Sequence, residues 1–310
     1  MIDRSTEVES QPAMSGNQRS SWQDEFPVPD QYLDLGPARL HYVDRGAGQP
    51  LLMVHGNPTW SFHFRHLIDH FQPRYRCVAV DHIGCGWSDK PQQYRYCLDQ
   101  HATNLQRLIE RLDLRQITLI AHDWGGAIGL LAASRMRDRF ARCVLLNTAA
   151  FPPPYIPWRI RACRIPVLGT IGVRGANLFA LAAQVMAVEQ RQRLSPAARA
   201  GLLAPYHSWA DRVAIDRFVQ DIPSSERHPT WQVLQQLEAD LRRHPLPALL
   251  IWGQRDWCFR LECLRRLETI FPDHQSVELH DVGHWVLEEA PDRVIRAMEK
   301  FLGERDRNPA

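Results

Sequence analysis

The stretch Ile120–Gly129, IAHDWGGAIG, sets an aspartate between an apolar run and a Gly-Gly pair. A small-x-acid-x-Gly pattern predicts a strand that turns sharply into a helix and exposes the middle side chain, Asp123, at the top of a sheet. The helix start adds positive potential, which is expected to keep the carboxylate ionised. With an ordinary pKa of about 4, such a carboxylate needs no general base to act as a nucleophile at neutral pH. Attack on an ester carbonyl would give a labile anhydride. Displacement of a good leaving group at saturated carbon gives an alkyl ester, and that is the chemistry expected of Asp123.

An alkyl ester must next be hydrolysed, which requires a base to activate water. His284, in DVGHWVLEEAP, follows the last predicted strand, and Asp256, in WGQRDWCF, follows the preceding one. The imidazole is expected to deprotonate water while Asp256 holds its tautomer and stabilises the imidazolium. The tetrahedral oxyanion on Asp123 needs donors, and Trp124 offers its backbone N–H, with Asn57 of the HGNP turn offering a second. The departing anion needs donors too. The Trp124 indole only donates, and the Asn57 amide has two N–H groups, so the pair is expected to hold a halide. Singly, each residue has a plainer reading. Asp123 resembles a helix cap, Asn57 a turn residue before Pro58, Trp124 elbow packing, and a lone late histidine a structural one. The set differs because HGNP, HDWGG, GxxD and GH each fall at a strand end, in order.

The elements that would position these residues are short apolar runs: residues 40–44, 51–56, 77–84, 117–123, 143–147, 248–253 and 276–283. The later runs are nearly continuously apolar, as in strands buried on both faces of a parallel sheet. Helical spacing lies between them at 99–112, 127–133 and 294–302. Alternation of this kind predicts an α/β fold, a mostly parallel central sheet flanked by helices, with right-handed crossovers. Ligands of such sheets bind at the carboxyl ends of the strands. Residues 151–244 break the rhythm: they open with FPPPYIPW and contain no convincing strand. They predict a helical cap inserted into a core of residues 26–150 and 245–310. Residues 1–25 are polar and lack an apolar run, so they are expected to form a disordered tail with no signal-peptide core.

Composition narrows the function classes. The 310 residues are 45% hydrophobic and 23% charged, and 37 basic against 35 acidic residues give a net charge of +2. This excludes an electrostatic case for nucleic acid. No run reaches the length of a transmembrane helix. Seven cysteines without a C-x-x-C pair read as free, buried thiols of a reducing cytoplasm. No metal-ligand spacing occurs, and the mechanism needs no cofactor. The expected ligand is a small apolar substrate, with a homo-oligomer or a complex with a pathway enzyme left open.

HGNPTW (55–60), DHIGCGWSDKP (81–91), AHDWGG (121–126) and GHWVLEEAP (283–291) resemble the haloalkane dehalogenase-like branch of the α/β-hydrolases over residues 32–302. The resemblance implies Asp123 as nucleophile, His284 as base and Asn57 with Trp124 as the halide pair. Some members carry the acid as a glutamate after the strand before the cap. That strand ends here in Asn147, so the role falls to Asp256. Asn57 with Asp256, together with NTAAF, VRGAN, APYHSW and FVQDIP, is similar to a sub-branch that includes both haloalkane dehalogenases and β-lactone decarboxylases of olefin biosynthesis. Haloalkane hydrolysis is the first expectation and β-lactone decarboxylation the alternative. Trp87 departs from the small or aliphatic residue frequent in that sub-branch.

Three rivals are weaker. Epoxide hydrolysis needs cap tyrosines to protonate an alkoxide, and only Tyr155 and Tyr206 are on offer. Fluoroacetate-type dehalogenation needs an arginine where Trp124 stands. A non-catalytic scaffold would have lost a triad residue. One segment is left unassigned. PWRIRACR sets Arg159, Arg161 and Arg164 beside Trp158, Ile160 and Ile165, either as a solvated cap face or as a docking surface for a membrane or an acidic partner. Apolar cap residues such as Phe179, Ala183, Val185 and Met186 are expected to divide between core and pocket.

Overall fold

The computed structural model describes residues 21–27 and 31–307. Eight strands form one sheet: β1 (Tyr32–Asp34), β2 (Arg39–Arg45), β3 (Pro50–Val54), β4 (Arg76–Val80), β5 (Ile117–Asp123), β6 (Phe140–Thr148), β7 (Ala248–Gly253) and β8 (His274–Leu279). Their order is β1-β2-β4-β3-β5-β6-β7-β8. β2 runs antiparallel to β1 and β4, and every later pairing is parallel. The three-residue β1 is absent from the sequence reading because so short an edge strand carries too few alternations to register.

Alternate residues of the central strands feed two separate cores, as a pleated strand covered on both faces requires. Leu52, Val54, Val78, Val80, Leu119 and Ala121 face one layer; Leu51, Met53, Cys77, Ala79, Ile120 and Val144 face the other. The first layer is covered by helices that include α3 (Leu98–Arg111), α4 (Trp124–Arg135), α10 (Pro229–Arg243) and α11 (Leu261–Ile270). The second is covered by α2 (Arg65–Phe71), α12 (Val286–Glu289) and α13 (Pro291–Arg307).

Between β6 and β7 the described chain forms helical elements only. They include α5 (Trp158–Cys163), α6 (Leu168–Thr170), a π-helical turn (Ile171–Gly175), α7 (Leu178–Met186), α8 (Pro196–Leu203) and α9 (Val213–Asp221), then α10. At the other end, residues 1–20 of the expected tail lie outside the described residues. Residues 21–25 form a short helix, α1 (Ser21–Glu25), instead of a tail. The reason is aromatic: Trp22 packs edge-on against Trp60 and Phe62, and Glu25 pairs with Arg65 at 3.0 Å. No helix among the described residues is long and apolar enough to cross a membrane. All seven cysteines are free; Cys97, Cys163 and Cys258 are half-buried and the other four buried.

Candidate active site

β5 ends on Asp123, which sits at φ 54° and ψ −127°, and α4 starts at the next residue. A non-glycine residue in that region is strained, and strain of this kind gathers at functional sites. The glycines beside the elbow are there for space. A Cβ on Gly56 would lie 2.0 Å from Asp123 Oδ1, and one on Gly125 would lie 1.9 Å from the Val54 carbonyl. The Thr148 hydroxyl donates to the Asp123 carbonyl and ties the elbow to β6.

The Asp123 carboxylate meets two backbone donors. Asn57 N–H donates to Oδ1 at 2.7 Å, and the Trp124 N–H is the second. Asn57 and Trp124, the residues expected to supply oxyanion donors, thus each present a backbone N–H to the carboxylate. The expectation about its charge needs correction in degree. Burial pushes the Asp123 pKa up, and although His284 and the two N–H groups pull it down, the net direction is upward. The helix start does not outweigh desolvation here.

His284 stands after β8, with Nε2 3.7 Å from Asp123 Oδ2 and Nδ1 2.7 Å from Asp256 Oδ2. The carboxylate at Nδ1 holds the proton there and leaves Nε2 as the basic nitrogen facing Asp123. Burial pulls the imidazole pKa down, but the charge and hydrogen bond of Asp256, with Asp123 behind, carry it above its ordinary value. Asp256 is buried too. Burial pushes it up, yet His284, the Cys258 N–H at 2.6 Å and Asn147 bring it below the usual carboxylate range. Phe259 stacks on the imidazole at 5.6 Å.

Two positioning residues carry no role in the sequence reading. Asn147 Nδ2 donates to Asp256 Oδ2 at 2.9 Å and to the Gly253 carbonyl at 3.1 Å, while its Oδ1 accepts from Gly253 N–H. His122 Nε2 donates to the His284 carbonyl at 2.9 Å, with burial holding its pKa well below normal and the ring neutral. The available signal was polarity out of place. An asparagine and a histidine inside otherwise apolar buried strands must find partners.

A cavity opens on this group. Asn57, Asp123, Trp124 and His284 border it, and its remaining wall is mostly apolar, with Phe151, Ile160, Phe179, Val219 and Leu234 among the lining residues. Asn57 Nδ2 spends one N–H on the Ile215 carbonyl at 3.1 Å, which leaves the amide its second. Of the apolar residues expected to divide between core and pocket, Phe179 and Ala183 line the cavity, whereas Val185 is exposed and Met186 accepts from the Trp257 indole.

Other polar residues at the strand ends hold the structure. Asp81 accepts from His41 and from the N–H groups of Ser61 and Trp87. Trp87 thus meets Asp81 through its backbone, and its ring stacks on Trp22. His82 Nε2 bonds the His55 carbonyl, and His55 Nε2 accepts from the His82 N–H, which fixes the loop that carries Asn57. Neither cap tyrosine is free to protonate an alkoxide. Tyr155 donates to the Cys258 carbonyl and Tyr206 to that of Thr59.

A strained aspartate elbow, backbone donors on its carboxylate and an Asp-oriented histidine opposite lie together at the strand ends of an α/β sheet. A family model described as alpha/beta hydrolase fold matches residues 49–291. Two similar proteins are named cis-3-alkyl-4-alkyloxetan-2-one decarboxylase. That of Shewanella oneidensis is 39% identical over 91% of this chain and 90% of its own length. That of Xanthomonas campestris pv. campestris is 37% identical over 89% and 96%. Haloalkane dehalogenase 2 of Mycobacterium tuberculosis is 33% identical over 90% and 96%. Among solved structures, the haloalkane dehalogenase DatA of Agrobacterium tumefaciens C58 superposes with a TM-score of 0.81 at 26% identity, covering 89% of this chain and 96% of its own. The chain belongs to the α/β-hydrolase fold family, in the dehalogenase-like branch that takes in both named activities.

Proposed function

We propose that this enzyme opens and decarboxylates cis-3,4-dialkyl β-lactones. Asp123 Oδ2 attacks the saturated ring carbon that bears the lactone oxygen. That C–O bond breaks, and the ring oxygen leaves as part of a carboxylate, held by N–H donors of Asn57 and Trp124. The carboxylate then departs as carbon dioxide. The electron pair of its C–C bond forms the alkene and expels the Asp123 carboxylate. No water is consumed and no external proton is needed. The observation that carries this reading is a largely apolar cavity, fit for two alkyl arms, that ends on a carboxylate with N–H donors beside it. The likeness to the two proteins named as decarboxylases supports it, and for that reason the lactone is placed ahead of the halide, the reverse of the order drawn from sequence. The helical elements of residues 151–221 act in this proposal as the cap over the site, while α10, inside the expected 151–244 cap, packs on the sheet layer. Seven free thiols fit a cytoplasmic setting.

Haloalkane hydrolysis is the second reading, favoured by the His284–Asp256 pair. A water-activating base is needed only where an alkyl ester must be hydrolysed. Product analysis separates the two. Purified enzyme given a cis-dialkyl β-lactone, with 1-bromohexane in a parallel reaction, is expected to form alkene fast and to release bromide slowly. Steady bromide release without alkene would reject the lactone reading in favour of the hydrolytic one.

A further inference from the structure

The helical segment that lines the cavity on its inside is apolar on its outside as well. Ten large hydrophobic residues are exposed among the described residues, and eight of them fall between Trp158 and Val185. Trp158 is 71% exposed, and Val167 and Leu168 are 69% exposed each. A helix that is apolar all round belongs in a core or against an apolar partner. α7 (LFALAAQVM) is apolar but for Gln184, which is buried on the Arg199 carbonyl, yet Leu178, Leu181 and Val185 stand on an exposed face while Phe179 and Ala183 line the cavity. The elements carrying these side chains pack in succession, α5 on α6, α6 on the π-helical turn, and that turn on α7, so the patch is continuous. Val167, at φ 65°, forms the centre of a γ-turn closed by the Leu168 N–H on the Pro166 carbonyl at 2.7 Å, a strained geometry that holds an apolar tip out to solvent.

The charge within the segment that carries the patch has one sign; Asp216, buried, and Asp221, half-buried, on the packed helix α9 are the acids beside it. Residues 151–188 contain four arginines and no aspartate or glutamate, in a chain that carries 35 acidic residues. Arg159 and Arg161 are exposed and Arg164 is half-buried; none of the three has an ion-pair partner among the described residues. Arg159 lies over the Trp158 ring, 5.2 Å from its centroid.

We propose that this face docks on an anionic phospholipid surface, with its aliphatic side chains and Trp158 in the headgroup region and the arginines on lipid phosphates. A second copy of the chain fits less well, because a two-fold contact would set arginines against arginines. A lipid surface also places the apolar reservoir of a water-insoluble substrate against the helices that wall the cavity. The docking itself does not depend on which bond Asp123 breaks.

Sedimentation of the full chain with phosphatidylcholine vesicles, with and without phosphatidylglycerol, tests this. Binding is expected only with the anionic lipid. It should weaken about fivefold in Arg161→Ala and roughly tenfold or more in Leu168→Asp. Neither residue touches the active site, so turnover of a short, water-soluble substrate should be unchanged, and near-ultraviolet circular dichroism reports the fold whatever the activity. Failure of the wild type to bind anionic vesicles overturns the proposal. So does a folded Leu168→Asp that binds as the wild type does. Loss of self-association in that variant on light scattering, without any vesicle binding, assigns the face to a contact between copies instead.

Discussion

The strand ends and the helical segment above them are built on opposite rules. Below the cavity, the reacting groups are over-determined. Asp123 is held by an elbow, two N–H groups and Thr148; His284 by Asp256 and His122; Asp256 by Asn147 and Cys258. Above it, Ile160, Phe179 and Ala183 meet the cavity with side chains that form no hydrogen bonds, on short helices that carry exposed apolar residues on their outer sides. In the proposed mechanism the floor sets which bond breaks, because the angle of attack and the position of charge come from it. In the same proposal the roof sets which substrate reaches it, through apolar contacts that discriminate only weakly and tolerate change.

This contrast is breakable by mutation. Asp123→Ala is expected to reduce turnover by more than roughly 10⁴-fold while the fold persists; appreciable residual activity in a folded variant would remove the nucleophile. Asn147→Ala deprives Asp256 of a charge-assisted donor, and should cost about 10- to 100-fold in kcat with little change in KM. An effect on KM alone would move Asn147 from the floor's machinery to mere packing. Ala183→Phe narrows the roof. It should raise KM for long alkyl chains by about tenfold and leave kcat for a short substrate near the wild-type value, so a fall in kcat for short substrates would blur the division. The smallest effect is electrostatic. The charge of Asp123 helps hold the His284 pKa up, so Asp123→Asn should lower it, read by NMR titration of the imidazole. In the halide reaction the same sign applies. Alkylation cancels the charge on Asp123, and the acid limb of ester hydrolysis should lie below the pKa of His284 in the free enzyme. Hydrolysis is present above the lowered His284 pKa of the ester form and is lost as pH falls through it.

Much of the floor was legible in the sequence, and for a physical reason. A turn from strand to helix that exposes one side chain needs glycines at set places, so HDWGG and HGNP announce their geometry. β5 and β7 match their apolar runs residue for residue. The supports of the floor were harder to read. Asn147 and His122 show only as polar residues in apolar strands, and their partners, 109 and 162 positions away, appear only once the sheet is assembled. The roof was legible as a helical segment but not as two faces. Val185 and Phe179 are both apolar, and only the packed helix puts one outside and the other on the cavity. The first 25 residues show the same limit: Trp22 anchors a helix because Trp60 and Phe62 lie where they do.

The most direct test of the nucleophile is to stop the reaction halfway. His284→Phe removes the base expected to hydrolyse an alkyl ester but keeps Asp123 and the Asn57 and Trp124 donors. After exposure to 1-bromohexane, the peptide containing Asp123 should gain the mass of one hexyl group, with bromide released once per active site. Continued bromide release from that variant with Asp123 unmodified would contradict displacement at saturated carbon by this aspartate.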